Sequence, residues 1–296
     1  MSAAAPSPRR DTRGIVDPAE LLTRVRFRRH TPAPELRPYL EHYWLIDWEL
    51  TEPYVTQVVP HPSVNIVFQR YGPLEGPPEG QREGPPEGPP EAAQSSAEVS
   101  GIGLGLFARK LTGLGRVCGI QFRPGGFRPF APAWPVSTWT GRRVPLAEVF
   151  TAAADEGAVL SPEGDHARVA ALDAFLLAHG PAPDRDAGQA MRLVDLIRTD
   201  RELRKVSRLA AASGLSTRSL QRLFATHVGV GPKWVILRYR IHEALERAES
   251  AGAAGAPDWS GLAAELGYSD QAHLVRDFTA TIGVPPAAYA RAVSAP

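Results

Sequence analysis

The spacing of hydrophobic and polar positions divides the chain into a strand-like first half and a helical second half. Between residues 25 and 130 the apolar residues form short runs that proline and glycine interrupt. The runs at 25–28, 42–48, 64–68 and 116–123 alternate or are rich in aromatic and β-branched residues, and 101–103 continues the pattern. Such runs predict short strands, and their number and spacing predict an antiparallel sandwich or barrel over residues 15–150.

From residue 161 onwards the apolar positions follow a helical period. Residues 166–177 are amphipathic, and Ser161-Pro162-Glu163 is typical of a capped helix start. The glycine and prolines of 179–184 end that helix, and a second helix is expected over 190–199. These helices predict a connector over residues 161–200, which packs either against a second copy of the chain or within one chain.

The last third of the chain contains one pattern twice, at 209–232 and 262–286. The first four matched positions are 53 residues apart and the last five are 54 apart, so the second copy carries one extra residue after its serine. The matched pairs are Leu209 and Leu262, Ala210 and Ala263, Gly214 and Gly267, Ser216 and Ser269, Leu220 and Leu274, Arg222 and Arg276, Phe224 and Phe278, Gly229 and Gly283, and Pro232 and Pro286. Such repetition indicates two copies of one supersecondary unit.

Each copy predicts a helix, a tight turn and a second helix. Gly214 and Gly267 stand where the first helix ends, a place that favours a left-handed backbone. Ser216 and Ser269 are expected to cap the second helix by accepting bonds from its unpaired N–H groups.

The second helix of each copy has an apolar face and a face of hydrogen-bonding side chains. The polar side chains are Arg218, Gln221 and Arg222 in the first copy and Gln271, His273 and Arg276 in the second. Arg and Gln pair bidentately with guanine and adenine edges in the major groove, where a helix-turn-helix inserts its second helix. One such unit fits any small helical domain, but two matching copies favour DNA binding.

These motifs resemble the DNA-binding domain of the AraC/XylS family, in which a long helix joins two helix-turn-helix units. Residues 234–248 resemble that connecting helix, and the resemblance covers 201–296. It implies a regulator that binds specific double-stranded DNA. The residues at the family's base-reading positions are Arg218, Gln221, Arg222, Gln271, Ala272, His273 and Arg276. Lys233, Arg238 and Arg240 are phosphate candidates, although Arg238 and Arg240 are also spaced to pair with acids on the same helix.

The first half resembles the N-terminal domain of uncharacterised function that precedes many such regulators. The resemblance rests on the segments 59–68, 119–130 and 144–150. It implies a domain that senses a molecule or mediates assembly. An unknown small-molecule effector, a homodimer and RNA polymerase are left open as further partners, and so is the direction of regulation.

Candidate catalytic and metal-binding chemistry in the first half is sparse. His30, His42 and His61 do not form the His-x-His pair of a cupin metal site, so His61 is expected to be a fixed turn residue. Cys118 lies in an apolar strand pattern and is expected to be a buried structural thiol. We therefore predict no catalytic residue, no metal and no cofactor.

Two groups of residues in this half have open roles. Arg123 and Arg128 flank the turn at 124–126, where they either bind an anionic effector or are solvated. Trp44, Trp48 and Phe68 either line a pocket or belong to the core.

Composition adds a few constraints. A length of 296 residues suggests two domains, and the single cysteine excludes a disulfide within the chain. The net charge is +1, but residues 196–296 hold 13 Lys and Arg against 9 Asp and Glu, a net charge of +4 that suits phosphate contacts. No signal peptide or apolar run of transmembrane length is visible, which predicts a cytoplasmic protein that does not contact a membrane.

Two segments are poor in large apolar residues. Residues 1–14 are expected to be a disordered tail, and the Gly-, Pro- and Glu-rich stretch within 71–98 is expected to be a disordered insertion.

The sequence therefore predicts an α+β protein with a β-rich domain, a helical connector and an all-α domain of two helix-turn-helix units. Two other functions stay open. One is a protein-interaction adaptor whose helix-turn-helix units no longer read DNA. The other is an enzyme in the first half with accessory DNA binding, which the missing metal-ligand and nucleophile patterns disfavour.

Overall fold

The computed structural model describes residues 14–72, 94–150, 155–200, 202–251 and 258–293. The strands are β1 Arg26–His30, β2 Leu40–Val58, β3 Asn65–Tyr71, β4 Gln94–Ser100, β5 Phe107–Phe122 and β6 Arg143–Pro145. The helices are α1 Pro18–Arg24, α2 Glu156–Leu160, α3 Asp165–His179, α4 Arg185–Thr199, α5 Val206–Ser213, α6 Thr217–His227, α7 Pro232–Ala251, α8 Trp259–Glu265, α9 Gln271–Ile282 and α10 Pro286–Val293. The predicted α+β class, with strands first and helices after, is confirmed.

One antiparallel sheet organises the first half, with the strand order β1-β2-β5-β3-β4-β6. The β2–β5 pair is much longer than its neighbours and shifts register between Leu50 and Tyr54. Beyond that shift it continues to Val58 opposite Phe107. An isolated bridge from Ile15 to Val58 closes this end against the N-terminal segment.

The two faces of the sheet carry different cores. Tyr43, Phe68 and Cys118 are fully buried on the face that packs against α2 and α3. The Phe68 ring meets that of Phe175 on α3 at 5.7 Å between centroids, so Phe68 belongs to this core. The opposite face carries a second apolar cluster around Trp48.

A cluster of charged side chains ties α3 to the sheet. The Asp47 carboxylate accepts hydrogen bonds from Arg28, from Arg116 at 2.7 Å and from Arg168 at 3.0 Å. Burial alone would raise the pKa of Asp47, but the three guanidinium groups outweigh it and lower that pKa. Arg28 also makes two 2.8 Å bonds to Asp165, the first residue of α3.

The connector helices pack within the chain. Ala190, Val194 and Ile197 of α4 lie in the same core as the first-half sheet and helix α6. This core shows the packing of the connector within one chain that the sequence left open.

The connector differs from its prediction at both helix starts. Ser161 is the C-cap of α2, while α3 begins after Gly164, which makes no side-chain cap. Helix α4 begins at Arg185, five residues before the expected start at 190, because Asp184 caps it by accepting bonds from the N–H groups of residues 186 and 187.

Two strand predictions also need correction. Residues 94–98, expected to be disordered, belong to β4, where backbone pairing with β3 orders a largely polar segment. Tyr71, at the start of that insertion, is the last residue of β3. Residues 73–93 lie outside the described residues, and so do residues 1–13 of the expected tail. Residues 101–103 run as a loop rather than a strand, and Ile102 enters the core.

Among the described residues no group of three or more His, Cys, Asp or Glu side chains could hold a metal ion. None of the helices in this part of the chain is both long and apolar enough to span a bilayer.

Candidate nucleic-acid interface

The first unit of the repeat consists of α5, a turn and α6. Helix α5 ends at Gly214, which has the expected left-handed backbone with φ of 66°. The Ser216 hydroxyl accepts a bond from the Ser219 N–H at 3.1 Å and so caps α6 as predicted. Leu220 and Phe224 are fully buried, which fixes the rotation of α6 about its own axis.

The second unit consists of α8, a turn and α9. Gly267 follows the C-cap of α8 and again has a left-handed backbone, with φ of 74°. The cap of α9 is Asp270 and not the predicted Ser269, because the Asp270 carboxylate accepts the His273 N–H at 2.7 Å. That bond lowers the pKa of Asp270. The extra residue in the second copy is therefore the capping residue, and Ser269 bonds to its side chain at 3.2 Å.

The predicted base-reading residues lie on the solvent-facing sides of α6 and α9. Arg218, Gln221 and Arg222 are exposed in the first unit, and Gln271, Ala272 and Arg276 in the second. Leu274 and Phe278 are fully buried on the opposite side of α9. The fold thus brings the candidates together as two sets, one on each second helix.

His273 is more restrained than the other candidates. Its Nδ1 atom lies 3.2 Å from the Ser269 hydroxyl, and its Nε2 atom lies 3.7 Å from an Asp277 oxygen. The ring also meets the Tyr268 ring edge-on at 5.2 Å. These contacts hold the imidazole at the start of α9.

Of the three phosphate candidates, one is exposed and two are engaged within the protein. Lys233 is exposed in the first turn of α7. Arg238 is only 4% exposed, lies over the Trp234 ring at 4.4 Å and donates to the Leu104 carbonyl oxygen at 2.7 Å. Burial lowers its pKa to about 10. The phosphate role predicted for Arg238 is wrong, because its guanidinium faces the N-terminal domain.

Arg240 is likewise held inside the helical domain. It donates to the backbone oxygen of Arg204 at 2.8 Å and lies 5.6 Å from the Tyr268 ring centroid. The phosphate role does not fit this position either. Among the described side chains, the alternative pairing of Arg238 and Arg240 with acids on their own helix is not observed either, and each arginine donates to a backbone carbonyl.

Contacts between the two halves reach both units. Near the first unit, Asp184 accepts from Arg128 at 2.6 Å and lies 3.2 Å from the His227 ring nitrogen. Near the second unit, the Tyr289 hydroxyl donates to the Val16 carbonyl at 3.1 Å. The helical domain is thus fastened to the N-terminal domain at several points.

The arginines that flank the turn at 124–126 are partly exposed, and both form ion pairs within the protein. Arg123 pairs with Asp195 of α4 and donates to the Pro38 carbonyl at 3.0 Å. Arg128 pairs with Asp184. These contacts give the two arginines a structural role in place of effector binding or free solvation. Arg123 ties α4 to the first half, and Arg128 ties the N-cap of α4 to it.

Two family models match the chain. The model described as a domain of unknown function (DUF6597) matches residues 28–145. The model described as a helix-turn-helix domain matches residues 209–292, which include both units and the helix between them. No curated protein matches the chain.

Solved structures that match the chain include three of ToxT from Vibrio cholerae. That of strain O395 is 10% identical with a TM-score of 0.41, covering 85% of this chain and 97% of that chain. The O395 protein bound to (E)-4-(8-methylnaphthalen-1-yl)but-3-enoic acid is 10% identical with a TM-score of 0.42, covering 90% and 99%. Wild-type ToxT of strain SCE256 bound to unsaturated fatty acid is 11% identical with a TM-score of 0.38, covering 84% and 94%.

The family match and the geometry of the repeat agree on the second half. The helix-turn-helix match consists of two units joined by α7, and each unit has a glycine in its turn and a capped second helix. The chain thus contains a helix-turn-helix domain over residues 209–292 and a DUF6597 domain over residues 28–145.

Proposed function

We propose that the protein regulates transcription by inserting α6 and α9 into successive major-groove segments of one specific DNA site. The observation that carries this proposal is that arginine and glutamine side chains are exposed on both α6 and α9. The apolar faces of the same two helices are buried in the core. Successive major-groove segments on one face of the duplex are about 34 Å apart, which sets the expected spacing of the two half-sites.

The proposed base contacts divide between the two helices. In α6, Arg218 and Arg222 suit guanine and Gln221 suits adenine. In α9, Gln271 and Arg276 take the same roles. Arg222 and Arg276 occupy matched positions of the repeat, so they are the strongest candidates for equivalent contacts in the two half-sites.

Three residues are proposed for weaker contacts. Ala272 suits an apolar contact with a thymine methyl group. His273 suits a hydrogen bond along the direction that Ser269 and Asp277 allow its ring. Lys233, exposed in the first turn of α7, suits a phosphate. These roles are consistent with exposure and charge.

The proposal is tested by selecting DNA sites with the full-length protein and titrating the enriched site against a scrambled duplex at fixed salt. We expect a two-part motif that binds on the order of 10³-fold more tightly than scrambled DNA. Affinity should fall with salt for both duplexes, because phosphate contacts release counterions. Weak, salt-sensitive binding without an enriched motif would contradict sequence reading and favour the adaptor.

The full chain is the right material for this selection. Leu220 and Phe224 of α6 share one core with the sheet of the first half. A fragment that began after the sheet would expose part of that core to water, and loss of DNA binding would then report unfolding.

A further inference from the structure

One face of the first-half sheet borders a partly open cavity of about 570 Å³. Its floor is the sheet face that carries Trp44 and Trp48, and its other walls include residues 100, 101 and 103–107 and the far part of the β2–β5 pair. This volume lies in the range of small-molecule sites, which are mostly apolar with a few placed polar groups.

Two indole rings form the floor in slots left by glycines. Trp44 lies opposite Gly119, and Trp48 lies opposite Gly115, in the β2–β5 register. A Cβ atom at Gly119 would lie 1.9 Å from a Trp44 ring atom, and one at Gly115 would lie 2.0 Å from a Trp48 ring atom. The rings therefore lie directly on the backbone of β5, and this packing preforms an apolar, aromatic surface.

Hydrogen bonds at the ring edges add to this packing. The Trp48 N–H donates to the Thr112 carbonyl at 3.2 Å, and the Trp44 N–H donates to the Asn65 side chain at 3.4 Å. A bound ring would thus meet mainly the partly exposed indole of Trp44, since Trp48 is only 4% exposed, and the polar edges of both indoles are already satisfied inside the protein.

The charged side chains around the cavity have one sign. None of the described residues that line the cavity is Asp or Glu. The lining does include four arginines, Arg29, Arg109, Arg142 and Arg143. Arg143 is paired with Glu98, which lies outside the lining. Among the described residues Arg109 has no acidic partner, and its guanidinium lies over the Tyr71 ring at 4.7 Å.

We propose that this cavity binds a small aromatic carboxylic acid, with its ring on the indoles of Trp44 and Trp48 and its carboxylate at Arg109. A guanidinium stacked on a ring still presents N–H donors at its edge, and these match a carboxylate. A single carboxylate is preferred over a phosphate dianion for two reasons. The lining is largely apolar, and the positive charge of Arg143 is already balanced by Glu98, so less positive charge is left to balance a dianion.

The same wall that lines the cavity also contacts the DNA-binding half. The carbonyl oxygen of Leu104 accepts the Arg238 bond, while Leu104 itself lines the cavity. Leu106 lines the cavity and also packs against the core of the second helix-turn-helix unit. A ligand in this cavity would therefore sit directly against the segment that joins the two halves.

The test compares two probes of the same shape by isothermal titration of the full-length protein without DNA. Biphenyl-4-carboxylate is the acid, and biphenyl-4-carboxamide is its neutral counterpart. We expect the acid to bind on the order of tenfold more tightly than the amide. Arg109→Gln should remove that preference, because it deletes the cation and keeps a polar side chain.

Lys110→Gln is the matched control. It removes one positive charge from the adjacent position of β5, where the side chain is exposed and does not line the cavity. The acid preference should survive it. Arg109→Lys is a second variant, which keeps the positive charge but not the planar guanidinium that can bond a carboxylate through two N–H groups. Thermal melts establish that all variants are folded.

Three results would overturn the proposal. They are equal affinity of the two probes, an acid preference that survives Arg109→Gln, and no binding of either probe up to its solubility limit. None of them depends on DNA, so failure here leaves the DNA-reading proposal to its own experiment.

Discussion

The hydroxyl of Thr140 donates a 2.6 Å hydrogen bond to the carbonyl oxygen of Gly229. This bond joins Thr140, at the end of a helical turn of the first half, to the glycine two residues after the end of α6, the first proposed recognition helix. Gly229 has φ of 93°, and a Cβ atom there would lie 3.0 Å from Val136 and 3.1 Å from Ile102. The glycine that ends the first unit therefore also sits in the contact between the two halves.

Gly229→Ala should lower the free energy of unfolding by about 1–3 kcal/mol, since it combines left-handed strain with a crowded Cβ atom. Urea titration of the full-length protein measures this change. The control is Gly231→Ala, where an added Cβ meets nothing within 4 Å and φ is not positive. A Gly229 variant as stable as the control would contradict the role given to this contact.

Much of the helical half could be predicted because the repeat compares the chain with itself. The matched glycines located both turns, and the matched Leu and Phe located the buried faces of α6 and α9. The cap of α9 could not be read in the same way, since Ser269 and Asp270 are adjacent and both can cap. Only the positions of the backbone N–H groups show that Asp270 takes the bond.

Long-range contacts explain the errors on Arg238 and on 94–98. The family pattern places Arg238 on α7 but says nothing of Leu104, which lies 134 residues away and takes its hydrogen bond. Residues 94–98 are mostly polar, and their order comes from pairing with β3 rather than from their own apolar content. Sequence periodicity describes local structure and cannot reveal such partners.

Arg222→Ala should weaken binding to the selected DNA site by about 1–3 kcal/mol and relax the base preference at one position. Stability should change little, because Arg222 is exposed. Competition titrations against single-base variants of the site measure both effects. Arg192→Ala, which removes an exposed charge from α4, should leave the base preference intact. Equal losses for the two variants would mean that Arg222 contributes only charge.

The Cys118 thiol should be unreactive in the folded protein. It is fully buried, its thiol lies 3.8 Å from the Val159 carbonyl oxygen, and burial raises its pKa to about 11. Because the thiolate is the nucleophile, both exposure and ionisation oppose reaction at pH 8. A disulfide reagent should react with one thiol promptly in denaturant and far more slowly without it. Equal rates in the two conditions would contradict a structural thiol.

Asp165 should contribute stability that disappears in acid. Two 2.8 Å bonds from Arg28 hold its pKa at about 2, below the ordinary value of 3.8, and His30 lies 3.1 Å away. A group whose pKa is lowered by folding stabilises the protein above its unfolded pKa and loses that effect as the pH falls towards its folded pKa. The contribution is therefore complete above about pH 5 and is lost between about pH 4 and pH 2.

Asp165→Asn should consequently lower the free energy of unfolding by roughly 1–2 kcal/mol at pH 6, after allowance for partial solvent screening, and by much less at pH 3. Urea titrations of wild type and variant at both pH values measure the difference. Glu35→Gln, an exposed position in the loop after β1, should change stability by less than about 0.5 kcal/mol at either pH. If Asp165→Asn lowered the free energy of unfolding equally at pH 3 and pH 6, the ion pair with Arg28 would not be the source of the stability. The aspartate would then act through packing at the start of α3.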